Sequence, residues 1–256
     1  MKTLWIKSLV LAATLAVQSY ALFGIGAHWD PAPGLEVKAD NAVIATGAVT
    51  GRSVALNEMG FTGAQGFGGK VWLDFLPLVD LELAGNLQFG YYDVALTSSG
   101  TSLPVQFDLG IPGLEGKPFF ARLYGDAAVL YPFFKFPPLI KVIRIYAGGG
   151  LSYGAATPIV SPGFAKAALD KARAAGNYNP DTDSDNSRAA GIIVDAIQNA
   201  DFEKGVGGFL QIGARVKPPF IPVAVYADLK YHVLGFNPDH VEGNGLNFEL
   251  GAALAF

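Results

Sequence analysis

The last eleven residues of the chain alternate between an oily and a polar or small position. Leu246, Phe248, Leu250, Ala252, Leu254 and Phe256 share one face, and Asn247, Glu249, Gly251, Ala253 and Ala255 share the other. A period of two places successive side chains on opposite faces of a strand. The same period recurs over residues 23–29, 67–75, 79–92, 121–131, 143–153, 210–216 and 223–233. Eight strands are therefore predicted. Most are longer than the five or six residues usual in soluble sheets, and approach the nine to eleven or so that a tilted strand needs to cross a bilayer.

The links between these segments alternate in length. Leu76-Pro77-Leu78, Pro132 to Leu139 and Lys217 to Phe220 are short and proline-bearing, whereas 30–65, 93–118, 154–204 and 234–244 are long. If each strand reverses direction, the three short links and both termini fall at one end and the four long links at the other. This is the arrangement of an all-β, eight-stranded antiparallel transmembrane β-barrel with short inner turns and long outer loops.

Composition narrows the picture. The amino-terminal 21 residues read as a signal peptide: Lys2 and Lys7, an apolar stretch from Ser8 to Val17, and the small-x-small site Ser19-Tyr20-Ala21. The barrel is then expected over 22–256, with a partly helical insertion at 154–204. Cysteine is absent, which excludes disulfide scaffolds and thiolate chemistry. Without the two signal lysines, 16 basic residues face 22 acidic ones, a formal charge of −6. With no basic stripe, nucleic acid is excluded as a partner.

On the polar face, the strands carry Lys70, Asp74, Asp80, Glu82, Arg122, Asp126, Arg144, Arg215, Asp228, Lys230 and Glu249. With Lys141 at a strand edge, six basic positions meet six acidic ones. In a membrane barrel these groups would form a lumen charge network, since an unpaired charge out of water is costly. Glycines on the same face relieve crowding in a narrow interior. Tyr91, Tyr131, Tyr153, Tyr231, Trp29, Phe67, Phe75 and Phe256 lie near the ends of the oily faces, where amphipathic rings suit membrane interfaces.

The ending on Phe256, preceded on its face by Phe248, Leu250 and Leu254, resembles the assembly signal of bacterial outer-membrane barrels. The whole mature chain is similar to the small eight-stranded members of that class, which act as anchors, adhesins, resistance factors or narrow channels. The resemblance implies residence in the bacterial outer membrane, with outer-membrane lipid and the barrel assembly machinery as partners. The long loops would be available to an extracellular ligand.

Chemistry outside the barrel is sparse. In the longest loop, Ser161-Pro162 predicts a helix from about Gly163 to Ala175, and a stripe of Ile192, Ile193, Ala196 and Ile197 predicts a second from Ser187 to Asn199. Between them, Asp181, Asp183 and Asp185 match the first three positions of a calcium loop. Asn186 stands at the position of the turn glycine and Ile192 at that of the bidentate glutamate, so a solvated turn competes with calcium. His28, His232 and His240 stand without a serine or carboxylate at nucleophile spacing, so no catalysis is expected, and no cofactor site is read. The expected role is structural or surface-binding. The alternatives are a narrow channel for small solutes and a secreted soluble barrel binding an apolar ligand.

Overall fold

A computed structural model describes residues 23–256 apart from 75, 77, 99–100, 106–115, 138–141, 184–185, 220, 233–240 and 244. The signal segment 1–21, Phe75, Lys141, Asp185 and His240 lie outside the described residues. Eight strands close into an antiparallel barrel: β1 (Phe23–Trp29), β5 (Phe61–Leu73), β6 (Asp80–Tyr91), β9 (Phe119–Phe136), β10 (Ile143–Ala156), β11 (Glu203–Val216), β12 (Val223–His232) and β14 (Leu246–Ala255). Each pairs with its neighbour in the order β1-β14-β12-β11-β10-β9-β6-β5, and β5 returns to β1. Closure leaves no open sheet edge around the ring. The chain ends meet at the seam, where the Phe23 and Phe256 backbones exchange hydrogen bonds of 3.2 and 2.9 Å.

The barrel is oily outside and charged inside. Leu83 and Leu151 are 63% and 67% exposed, whereas Lys70 is 2% exposed and Lys230 fully buried. The exposed leucines, valines and aromatics run around all eight strands. Such a continuous apolar surface far exceeds the few hundred Å² that soluble proteins leave in contact with water. A secreted soluble barrel with an apolar cavity requires the opposite polarity and is ruled out by this arrangement.

At the rim away from the termini the chain builds a second layer. The links 30–65 and 93–118 do not run as plain loops. They contain β2 (Ala32–Val37), β3 (Asp40–Thr46), β4 (Ser53–Met59), β7 (Asp93–Ser98) and β8 (Thr101–Pro104). β3-β4-β7-β8 form a four-stranded sheet, while β2 extends the barrel sheet from the upper part of β5 and pairs with β13 (Val241–Gly243). β5 itself starts six residues before Phe67, so its upper end rises out of the barrel to carry β2.

The long link between β10 and β11 supplies two helices, α1 (Pro162–Ala174) and α2 (Asn186–Gln198). Ser161 caps α1 by accepting the Phe164 N–H at 3.2 Å, with proline in the first turn, and Lys171 and Arg173 sit in its last turn. Ala165 and Leu169 of α1, and Ala189 and Ile193 of α2, lie four apart on one face of each helix and are buried. They join Val54, Leu56, Val94, Leu96, Phe120 and Val160 in one hydrophobic core above the barrel. The outer layer is thus a packed subdomain on the rim.

Candidate functional site

The strand period aims every second side chain of the barrel strands inward, and the register stacks them in three tiers. At the rim with the long links, Tyr124 donates to Asp30 Oδ2 at 2.7 Å, and Gln88 Nε2 donates to the same oxygen at 2.9 Å. Asn247 Nδ2 donates to the Tyr124 hydroxyl at 2.6 Å, and Arg122 donates to Gln88 Oε1 through both Nε (3.1 Å) and Nη2.

The middle tier is built around two lysines. Lys70 Nζ lies 3.2 Å from Glu82, 2.6 Å from Asp228 and 2.5 Å from Glu249. Lys230 Nζ lies 2.6 Å from Glu249 and 2.8 Å from Asp126. The oxygens of Glu82, Asp228 and Glu249 come within 4.8 Å of one another, a spacing that could hold a metal ion. The Lys70 ammonium touches all three carboxylates, so the cation that balances this cluster is part of the chain. Neutral donors complete the tier: Tyr146 to Asp228 at 2.7 Å, Gln211 to Glu82 at 3.1 Å and Ser152 to Asp126 at 2.6 Å.

At the rim with the termini, Arg144 Nη2 donates to both oxygens of Asp80 at 2.7 and 2.9 Å, and Nη1 donates to Asp74. Arg215 lies above them, 3.9 Å from Asp80 and 3.7 Å from Glu82, with its guanidinium 3.8 Å over the Trp72 ring and 5.2 Å from Tyr146. Stacking on aromatic faces suits a weakly hydrated guanidinium. The eleven polar-face residues singled out in the sequence thus occupy the lumen tiers. Asp30, which follows β1 and begins a long link, is a further buried carboxylate that the strand pattern does not include. Asn86, Gln88, Gln211 and Asn247 are missed for another reason: period-two reading marks their face but gives an amide no partner.

The histidines belong to the same packing. His28 is 2.6 Å from Asn86 Oδ1 and 3.0 Å from the Tyr226 hydroxyl. His232 lies 3.4 Å from Ser152 Oγ, with Asp126 also at that serine. In a nucleophilic triad the acid orients the base. Here Asp126 accepts the serine proton itself, and Ser152 is buried.

Outside the barrel, Asp181 closes the β3–β4 turn. Its carboxylate accepts the N–H groups of Ala48, Val49 and Thr50 at 3.0, 3.0 and 2.8 Å, and the Thr50 hydroxyl at 2.9 Å. Those donors hold its pKa below the ordinary carboxylate range. Asp183 accepts the Asn179 N–H at 2.8 Å and pairs with Arg188 at 3.5 Å. Both carboxylates of the calcium-like run that are described are therefore committed to partners in the outer layer, Asp181 across to the β3–β4 turn and Asp183 within its own loop. In the opposite sense, Glu58 of β4 is 1% exposed and neither of its oxygens has a hydrogen-bond partner among the described residues. Burial, with Asp40 opposite it across the strands, pushes its carboxyl up to about 7.

A closed eight-stranded barrel with a lipid-compatible exterior and an internally paired lumen is the outer-membrane type of barrel. The chain is a β-barrel of the membrane-spanning type. No protein-family model matches it, and no curated protein sequence matches it. Among solved structures it is similar to the outer membrane protein OprG from Pseudomonas aeruginosa, at 12% identity and a TM-score of 0.47, covering 91% of this chain and 95% of that one. It is also similar to Ail, the attachment invasion locus protein of Yersinia pestis, at 12% identity and a TM-score of 0.39, covering 91% and 97%. The barrel assignment stands on the strand register and polarity described above.

Proposed function

We propose that this protein is a non-conducting membrane anchor that holds its sheet-and-helix subdomain at the outer surface of the cell for binding. The observation that carries this reading is the lumen: three tiers of ion pairs and hydrogen bonds cross the interior from Asp30 to Asp74. An eight-stranded barrel has an interior just wide enough for side chains to fill it. Here the side chains also bond across it, so a permeating ion would have to break buried pairs. Loops on a rigid scaffold are the usual seat of recognition, and in this chain they are themselves packed around a core.

The same reading takes outer-membrane lipid and the barrel assembly machinery as partners. In support of the second, Leu250, Leu254 and Phe256 stand exposed on the outer face of the final strand, with Phe248 partly exposed above them. Planar-bilayer recording tests the anchor directly. The purified barrel is expected to insert without unitary currents; reproducible unitary conductance would overturn the closed lumen and favour the narrow channel.

A further inference from the structure

A cavity of about 250 Å³ opens on the flank of the molecule where the barrel meets the outer subdomain. Pro118 and Phe119 at the start of β9, Thr157 and Pro158 just after β10, and Ile197 and Phe202 around the end of α2 form its walls. Its few polar groups are largely engaged. The Tyr92 hydroxyl accepts the Val160 N–H at 2.9 Å, and the Thr157 hydroxyl accepts the Ala121 N–H at 2.9 Å. Such a lining does not hold water well. The volume falls below the roughly 300–1,000 Å³ of sites for drug-sized ligands, which suits a slender chain better than a ring system.

The position identifies the occupant. The cavity continues the lipid-facing surface: below Phe119 on β9 comes exposed Leu123, below Thr157 on β10 comes exposed Tyr153, and after Phe202 on β11 comes exposed Val206. Between Phe202 and Val206 stands Lys204, exposed and in no ion pair among the described residues. An ammonium there sits at the level where a lipid's anionic head would meet water.

We propose that this cavity receives one acyl chain of a membrane lipid, fixing the outer subdomain against the bilayer surface. The proposal rests on the membrane reading of the barrel. The test places a photoreactive benzophenone side chain in the full-length protein, reconstituted in phosphatidylcholine vesicles, as Ile197→benzoylphenylalanine. Leu123 in the lipid-facing surface and Val49 at the tip of the β3–β4 turn receive the same substitution as controls. Irradiation is expected to give phospholipid adducts at Ile197 and Leu123 and none at Val49. Adducts at Leu123 without any at Ile197 would overturn the proposal while leaving the membrane barrel intact; loss at both would overturn the barrel reading itself. If the Ile197 variant does not fold, Gln198→benzoylphenylalanine at the cavity wall gives the same readout. Free decanoate separates the two sources of an alkyl chain. Suppression of the Ile197 adduct alone would make the occupant a soluble alkyl compound and overturn the lipid assignment, whereas equal adduct yields with and without decanoate support it.

Discussion

Lys70 Nζ lies 2.6 Å from Asp228 Oδ2, although 158 positions separate the two residues in the chain. The contact bridges the lumen between β5 and β12 and exists only once the barrel has closed. Lys70→Met removes the cation shared by Glu82, Asp228 and Glu249 and leaves three buried carboxylates facing one another. Removing one partner of a buried pair costs about 3–5 kcal/mol. Urea unfolding in lipid vesicles, followed by tryptophan emission, is expected to show a loss of that order. A midpoint equal to that of the unsubstituted protein would mean that the lysine is dispensable to the middle tier.

The lower tier depends on a small residue opposite a large one. A Cβ at Gly24 would fall 2.1 Å from the Trp72 ring, which is fully buried against Tyr226 and under Arg215. Gly24→Val is expected to displace the indole and to cost about 1–3 kcal/mol through overpacking. A shifted Trp72 emission with a lowered unfolding midpoint checks this. An unchanged spectrum and midpoint would show that the tier has room to spare.

These two sites also show what the sequence makes legible. Lys70, Gly24 and Asp228 occupy fixed phases of long alternating runs, so their facing follows from the period alone. Their partners do not, because register across strands is set by closure of the whole ring. The outer sheet was hidden for a different reason. β4 alternates Val54, Leu56, Glu58, and the charge at the third inward position breaks the oily run just where a longer strand would have declared itself. β7 and β8 are short as well, six and four residues, and residues 30–65 and 93–118 therefore read as loops. The helices were legible because their signals are local: the Ser161 cap with Pro162, and the isoleucine stripe of α2.

Asp181 offers a prediction about the outer subdomain. Four donors from the β3–β4 turn converge on its carboxylate, and Arg52, just after that turn, donates back to the Asp183 carbonyl at 2.6 Å. Because bonding lowers the folded-state pKa, the stabilisation is present above the unfolded value and is lost as pH falls through the folded one. Asp181→Ala is expected to speed hydrogen exchange at the Val49 and Thr50 amides at neutral pH while leaving the barrel amides unchanged. In the unsubstituted protein, protection of those two amides should be lost only as pH falls below the ordinary carboxylate range. Unaltered exchange in the variant would show that the turn holds its shape without the carboxylate.

Glu58 works in the opposite direction. Its carboxyl shares the inward column of Val54 and Leu56, has no hydrogen-bond partner among the described residues, and feels Asp40 opposite. With a folded-state value of about 7 against an ordinary 4.5, the native subdomain holds more protons than the unfolded one between those limits. Its stability therefore falls as pH rises through that window and levels off above it. One pKa unit corresponds to about 1.36 kcal/mol, so the loss is on the order of 3 kcal/mol. Limited proteolysis of the outer subdomain should accordingly be slower at pH 5 than at pH 8. Glu58→Gln keeps the shape and removes the charge, so it should slow cleavage at pH 8 and flatten the pH profile. Equal pH dependence in the variant and the unsubstituted protein would assign the titration to another group.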